Sequence, residues 1–256
     1  MRTRILFIAT NFFAALSFLW PFLSLSIPQS LLERSFISIA IIVIAVVIIA
    51  SEISEQLLDS KTVAIIGVLA AAIAALRLLG AGAIGIEPIW FLLILASRVF
   101  GARLGYSLGV IALAVSAVIT GGIGPWLAFQ MFAAGWVAAG VVVIPRSFRG
   151  KLEIGALALY GALASLLFGI LMDLQLWPWL VGTDSQLSFD QTLSAVMNVK
   201  RFITFHIATA LAWDLPRAIT TASLLALTAR PILHSLRRAK VRLHLNERAK
   251  AQAAIS

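Results

Sequence analysis

Two long apolar segments constrain the fold of this chain more than any other feature. Segment 35–51 reads SFISIAIIVIAVVIIAS, and segment 61–79 reads KTVAIIGVLAAAIAALRLL. A transmembrane helix needs about 20 mainly apolar residues, and both segments are close to that length. Of the 256 residues, 61% are hydrophobic and only 12% are charged, whereas soluble domains are about 25% charged. The sequence therefore predicts an integral membrane protein and excludes both a soluble globular fold and disorder.

Apolar runs of similar length recur along the whole chain. Hydropathy predicts eight membrane-spanning helices, at about 5–24, 35–51, 61–79, 88–102, 104–121, 126–144, 153–173 and 203–229. The fourth is the shortest, and Arg98 and Arg103 bracket its end, so its boundary is the least defined. The predicted fold class is an all-α integral membrane protein.

The distribution of Lys and Arg indicates the orientation of these helices, because cytoplasmic loops carry the excess of positive charge. The chain has 20 Lys and Arg against 11 Asp and Glu. One side of the membrane receives Arg2, Arg4, Lys61, Arg98, Arg103, Arg146, Arg149, Lys151 and the tail from Arg230 onward. The opposite side receives Arg34, Arg77, Lys200 and Arg201. We expect a multi-pass plasma-membrane protein with both termini in the cytoplasm, whose basic residues serve orientation and contact with membrane lipid rather than nucleic acid.

Several kinds of chemistry are absent from the sequence. Cys does not occur, so disulfides and thiolate metal sites are excluded. The P-loop, Gly-x-Ser-x-Gly and His-Glu-x-x-His motifs are all missing. The three histidines, His206, His234 and His244, are too scattered for a local metal motif. We therefore predict no catalytic residues, no metal site and no cofactor, and the chain carries no energy source of its own.

The first span allows two interpretations. Arg2 and Arg4 precede its apolar run and Ser24-x-Ser26 follows it, an arrangement similar to a secretory signal that would be removed near residue 26. The length of the apolar run, and Trp20-Pro21 near its end, favour a helix that is retained.

Ionisable residues within the spans are the strongest candidates for function, since each costs about 2–4 kcal/mol in lipid unless it is satisfied. Asp214 and Arg217 lie three residues apart on one face of the last span, where they can pair. Pro216 between them frees the backbone carbonyl of Ala212. The pair either fastens this helix to a neighbour or faces a ligand, and the sequence leaves both interpretations open.

The longest gap on the non-cytoplasmic side is about 174–202, and near its start is the aromatic run Trp177-Pro178-Trp179. Tryptophans at this depth usually form an interfacial belt. A lid over a binding site is the alternative interpretation of the same residues.

Small residues recur every four positions in the third span. One series is Gly67, Ala71 and Ala75, and the other is Ala70 and Ala74. Such spacing lets helices approach closely in lipid, where packing replaces the hydrophobic effect. The close approach is either to another helix of the same chain or to a partner.

Three segments together resemble a known family, the substrate-binding S components of energy-coupling factor (ECF) transporters. They are GVLAAAIAALRLLGAGAIGIEPIWFLLILASRVFG, TGGIGPWLAFQMFAAGWVAAG and AWDLPRAITTA, and the resemblance runs from about Val63 to Arg230. It implies a six-helix substrate-binding core at 59–230, with two extra transmembrane helices in 1–58 and a basic cytoplasmic tail at 231–256. The two extra helices depart from the family pattern, but their even number preserves the orientation given by the charges.

The resemblance also implies a function. Members bind a vitamin or metal from the outer side and are energised by a membrane scaffold subunit and two ATPase subunits, and this chain looks most like actinobacterial members often assigned to cobalamin. The implied substrate site comprises Arg77, Glu87, Trp90, Trp126, Gln130, Asp173, Trp177, Trp179, His206, Trp213, Asp214 and Arg217. The implied docking face for the scaffold comprises Gly67, Ala70, Ala71, Ala74 and Ala75.

Two other classes of protein remain as alternatives. A membrane enzyme acting on a lipid or isoprenoid head group would use Asp173, His206 and Asp214 as acid, base or metal ligands. It would turn over its substrate without an ATPase partner. A purely structural membrane subunit would leave the aromatic segment 174–202 without a ligand.

Overall fold

The computed structural model describes residues 2–23, 60–80, 85–124, 126–180 and 185–253, with the backbone alone for 2–6, 20, 23, 60, 179–180 and 243–253. Within these ranges every regular element is a helix. The α-helices are α1 (Arg2–Phe18), α2 (Trp20–Leu23), α3 (Ser60–Leu79), α4 (Ile89–Phe100), α5 (Ala102–Thr120), α6 (Trp126–Ala139), α7 (Gly150–Leu180), α8 (Ala195–Phe205) and α9 (Leu211–Ala253). A 3-10 turn, Gly140–Val143, follows α6, and a π-helical segment, His206–Ala210, joins α8 to α9.

Four of the described helices are long and apolar enough to cross a membrane. They cover Lys61–Leu79, Ala102–Thr120, Trp126–Val143 and Gly150–Pro178. These lengths and compositions are those of an all-helical membrane protein, in agreement with the predicted fold class. The predicted count of eight spans, a core of six with two before it, does not agree with the four found in the described part of the chain.

The difference in count has three sources. The predicted span 35–51 lies outside the described residues, and the side chains of α1, Arg2–Phe18, are described only from Phe7. The helix α4, Ile89–Phe100, has 12 residues and covers about 18 Å of a hydrocarbon core of about 30 Å. The last predicted span, 203–229, is interrupted by the π-helical segment, and Asp214 and Arg217 lower its hydropathy.

The short helix α4 lies at the centre of the fold. Most of its residues are buried, and Trp90, Leu93 and Ile94 are completely so. It packs against both α5 and α9, and the Ser97 hydroxyl donates a hydrogen bond to the Ala138 carbonyl of α6. An apolar helix that is too short to cross a membrane is typically buried among other helices. The longer helices therefore surround α4, and its N-terminal end is where the candidate site forms.

Helices α7 and α9 make the most extensive contact, and they do so through small residues. Gly161, Ser165 and Gly169 recur every four residues along α7 and face α9. The Ser165 hydroxyl donates a hydrogen bond of 3.1 Å to the Thr221 hydroxyl, and a Cβ atom at Gly161 would overlap Leu225. This spacing allows close helix packing in lipid. It brings the last third of α7 against the first turns of α9.

A cluster of charges joins three helices at the C-terminal end of α4. Arg98 donates to Glu153 of α7 at 2.9 Å, and Arg237 of α9 donates to the same carboxylate oxygen at 2.6 Å. The Glu153 side chain is only 2% exposed, so these two cations compensate a buried charge. Lys240 adds a hydrogen bond of 2.7 Å to the Val99 carbonyl. Helix α9 therefore remains packed against α4 well beyond residue 230.

Helix α1 is attached to the bundle by a half-buried amide, that of Asn11. The Asn11 side-chain oxygen accepts hydrogen bonds from Trp136 Nε1 at 2.6 Å and from the Tyr106 hydroxyl at 3.1 Å. Phe18 is almost fully buried and packs edge-on against Phe129, with ring centres 4.9 Å apart. These contacts join α1 to α5 and α6.

Candidate functional site

Five ionisable side chains from separate parts of the chain meet at the N-terminal end of α4. Glu87 precedes α4, Asp173 lies near the end of α7, His206 begins the π-helical segment, and Asp214 and Arg217 lie in the first turns of α9. We call these five residues the polar cluster. The cluster lies at the opposite end of α4 from the Arg98 and Glu153 contacts.

Arg217 is the cation at the centre of the polar cluster. Its Nη2 lies 3.0 Å from Glu87 Oε1, and its Nη1 donates to Asp214 Oδ1. Its guanidinium carbon is 5.5 Å from the centre of the Phe168 ring, which is within the range of a cation–π contact. The pairing that the spacing of Asp214 and Arg217 predicts is therefore confirmed. Glu87, 130 residues away in the sequence, is an additional partner.

His206 connects Asp173 to Asp214. Its Nδ1 is 2.7 Å from Asp173 Oδ2, and its Nε2 faces Asp214 Oδ2 at 3.9 Å. When the Asp173 carboxylate is ionised it only accepts hydrogen bonds, and the 2.7 Å contact then corresponds to a proton on His206 Nδ1. The π-helical turn begins at His206 and shifts the helical register between α8 and α9. Such turns occur frequently at functional sites.

Gly169 provides the space that Asp214 occupies. A Cβ atom at this position would overlap the Asp214 carboxylate, whereas a Cβ atom at Gly155 on the same helix would meet nothing within 4 Å. The absence of a side chain at 169 thus allows α7 and α9 to pack with the carboxylate between them. Residue 169 belongs to the site although it carries no chemical group.

An aromatic cover lies beside the polar cluster. It consists of Trp177, Phe189 and Phe202: the Trp177 ring lies edge-on to both others, with ring centres 5.4 Å apart in each case. Trp177 is fully buried, and its Nε1 donates a hydrogen bond of 2.7 Å to the Leu187 carbonyl. Phe202 stacks on the His206 ring with centres 6.2 Å apart. Trp177 is therefore an internal packing residue of this cover rather than an exposed residue at the membrane interface.

Hydrogen bonds hold the connection after α7 against α8. The Asn198 amide donates to the Asp190 carbonyl at 2.8 Å and accepts from the Asp190 N–H at 3.1 Å, while Arg201 donates to the Ser188 carbonyl at 3.1 Å. Hydrogen bonds from the hydroxyl and N–H of Thr192 hold the pKa of the Asp190 carboxyl below its ordinary value. These contacts fix the residues that carry Phe189.

The segment that joins α7 to α8 is shorter than the predicted gap 174–202. Helix α7 continues to Leu180, and α8 already begins at Ala195. The helix continues because the apolar residues extend past Asp173 as far as the Trp-Pro-Trp run. Pro178 lies in its last turn.

Apart from Trp177, which belongs to the aromatic cover, the predicted substrate residues fall into three groups. Trp90 joins the polar cluster, because its Nε1 donates a hydrogen bond of 3.0 Å to Glu87 and its ring packs against Phe168. Arg77 and Gln130 form a separate group in which Arg77 donates to Gln130 at 3.1 Å and to Ser116 at 2.8 Å. The remaining predicted residues are Trp126 and Trp213, which are 40% and 50% exposed, and Trp179, whose side chain lies outside the described residues.

The predicted docking residues of α3 divide between two faces. Ala70 and Ala74 are 2% and 0% exposed, and they pack inside the protein, where no partner can reach them. Gly67, Ala71 and Ala75 are exposed, and a Cβ atom at Gly67 would meet nothing within 4 Å. We call these three residues the small-residue face.

Sequence reasoning missed Phe168, Gly169 and Phe202, which contact the polar cluster directly. The spacing of Gly161, Ser165 and Gly169 is a signal that could have located Gly169, since it ends one helical turn before Asp173. No signal in the sequence places Phe202 on His206.

No family model, curated protein or solved structure matches this chain. The chemistry of the site is therefore the available indication of what this protein does. Asp173, His206 and Asp214 each offer one oxygen or nitrogen atom, and these three atoms lie within 4.8 Å of one another, as the ligands of one metal ion would. The same groups are able to move protons or to bind a polar solute.

Proposed function

We propose that this chain is the substrate-binding membrane subunit of an ECF-type importer for a vitamin or related micronutrient, with cobalamin as the first candidate. The polar cluster is the observation that carries the proposal. Ionisable groups within membrane helices are rare and usually mark the path or site of a solute. Here five ionisable side chains, of which Asp173 lies in a helix long enough to cross a membrane, are gathered at one end of α4, next to the aromatic cover.

The hydrogen bonding of the polar cluster is incomplete. Asp214 Oδ2 and Arg217 Nε are both buried, and neither has a hydrogen-bond partner among the described residues. A buried polar atom without a partner costs about 1–3 kcal/mol. The polar groups of a bound solute would supply the missing partners of this acceptor and this donor. The aromatic cover would supply apolar contact area to the same solute.

The charge distribution supports a site that opens away from the cytoplasm. The end of the bundle opposite the polar cluster carries Arg98, Arg237 and Lys240, and the nearby loop carries Arg146 and Arg149. An excess of Lys and Arg is typical of cytoplasmic ends. In the proposed orientation both termini are cytoplasmic, and the basic C-terminal residues contact anionic lipid.

The small-residue face supports the proposal that this chain binds a partner subunit. Gly67, Ala71 and Ala75 form an exposed strip on a helix long enough to cross the membrane. An exposed strip of small residues lets another helix approach closely. We propose that this strip docks on the scaffold subunit, which with its two ATPases supplies the energy that this chain lacks. The chain itself is not an enzyme in this proposal.

A membrane enzyme acting on a lipid or isoprenoid head group is the second candidate. One observation favours it: the 2.7 Å contact of Asp173 with His206 orients an imidazole, as a carboxylate does for a general base. This candidate predicts that the purified chain converts its ligand without any other polypeptide.

Heating the purified, detergent-solubilised chain with a panel of vitamins tests the proposal. We expect cobalamin or another vitamin to stabilise the protein, by about 2.7 kcal/mol at a concentration 100 times its Kd. Glu87→Gln should weaken this stabilisation, while Glu247→Gln, which removes a carboxylate near the C-terminal end of α9, should not. If no vitamin stabilises the protein but an isoprenoid phosphate does and is converted, the second candidate is correct instead.

A further inference from the structure

Two hydrogen-bond acceptors face each other inside the polar cluster. The proton on His206 Nδ1 is directed at Asp173, so Nε2 of the neutral imidazole presents a lone pair to Asp214 Oδ2. Within the described residues, Asp214 Oδ2 accepts no hydrogen bond, and its side chain is only 3% exposed. Opposed lone pairs in a buried site repel unless a cation lies between them.

The distance between these two atoms fits a metal ion better than a proton. A hydrogen bond from N–H to O has its heavy atoms about 2.7–3.2 Å apart, so a protonated His206 does not satisfy Asp214 Oδ2 at 3.9 Å. A zinc-type ion lies about 2.0–2.2 Å from each nitrogen or oxygen ligand. Such an ion fits between His206 Nε2 and Asp214 Oδ2, which are 3.9 Å apart, with a nitrogen–metal–oxygen angle below 180°.

The charges and donor atoms of the polar cluster also suit a metal ion. With all three carboxylates ionised and His206 neutral, Glu87, Asp173 and Asp214 contribute three negative charges and Arg217 one positive charge, which gives the cluster a net charge of −2. A divalent cation would neutralise it. Imidazole nitrogen combined with carboxylate oxygen suits Zn²⁺, Co²⁺ and Ni²⁺. The exposed fractions of Asp173 and His206, 18% and 15%, leave a route for an ion to enter.

We propose that Asp173, His206 and Asp214 hold one resident divalent transition-metal ion of the Zn²⁺, Co²⁺ or Ni²⁺ class between α7 and α9. His206 binds it through Nε2 and Asp214 through Oδ2. Asp173 orients the imidazole through Nδ1, on the side of the ring away from the ion. The two protein ligands leave coordination positions for water and for a donor atom of a bound solute. The site does not depend on the importer proposal, because it needs neither a vitamin nor a partner.

Metal titration of the purified chain tests this site. The chain should carry no histidine tag, should first be treated with a chelator, and should then be titrated with CoCl₂ or ZnCl₂, with MgCl₂ as the comparison. We expect one ion per chain by elemental analysis, a visible absorption band on adding Co²⁺, and no competition from Mg²⁺. His206→Gln should abolish the band, and Asp173→Asn should weaken binding by about 10–100-fold.

Two matched pairs of variants distinguish this site from other binding. His234→Gln removes an exposed histidine outside the polar cluster and should leave Co²⁺ binding unchanged. Gly169→Ala removes no ligand but displaces the Asp214 carboxylate, so it should weaken binding, while Gly155→Ala should not. The proposal is overturned if the wild-type chain binds no ion. This result does not depend on whether any variant folds. It is overturned equally if His206→Gln retains the ion or if Mg²⁺ displaces Co²⁺.

Discussion

Replacing Arg217 with methionine should destabilise the protein by about 3–5 kcal/mol, because the change leaves buried carboxylate charge without its cation. Arg217 contacts both Glu87 and Asp214, and the Asp214 side chain is only 3% exposed. Methionine keeps much of the side-chain length, so the loss reports on the charge more than on the volume. The free energy of unfolding, measured by denaturant titration of the detergent-solubilised chain, is the appropriate readout.

Two further variants show whether the charge is the cause. Arg230→Met removes an exposed arginine from the same helix and should change the stability by less than about 0.5 kcal/mol. Combining Arg217→Met with Asp214→Asn should recover part of the loss, since it removes one of the uncompensated charges. An effect of Arg217→Met as small as that of Arg230→Met would contradict the assignment of Arg217 as the central cation.

The second large effect should be on transport. Ala71→Trp places a bulky side chain in the middle of the small-residue face, so it should prevent close approach of the scaffold. In cells that also express an ECF scaffold and its two ATPases, we expect vitamin uptake to fall to background and copurification of the scaffold to be lost. Because residue 71 is exposed and distant in sequence from the polar cluster, vitamin binding by the purified variant should be unchanged.

The control for this variant is a tryptophan on another exposed helix face. Leu159 of α7 is 63% exposed, and Leu159→Trp should leave uptake intact. Normal uptake by Ala71→Trp would show that the small-residue face has no role in docking. Loss of vitamin binding together with uptake would show instead that the variant has damaged the fold.

The sequence predicted helices well where apolar residues were continuous. The span at 61–79 corresponds to α3, Ser60–Leu79, because nothing in that run favours another structure. The short α4 is harder to predict, because hydropathy continues past its ends to about 88–102, whereas the helix itself has only 12 residues and its length is typical of a buried core helix. Its central position depends on the helices around it, and hydropathy contains no information about neighbours.

The candidate site was predictable only where its residues are close in sequence. Asp214 and Arg217 are on adjacent turns of one helix, so their spacing was enough to predict the pair. Glu87 and Asp173 reach the same place through the packing of α4 and α7 on α9, and no spacing rule predicts that. The spacing of the three histidines in the sequence predicts no metal motif, yet His206 meets Asp173 and Asp214 because the π-helical turn and Gly169 bring these elements together.

Reconstitution of the purified chain alone into lipid vesicles tests most directly whether it is a passive receptor. Radiolabelled cobalamin should bind to the vesicles in proportion to the amount of protein and should not accumulate inside or be converted. Adding the scaffold subunit, both ATPases and ATP should then produce accumulation. Accumulation or chemical conversion of the vitamin by the chain alone would contradict the account.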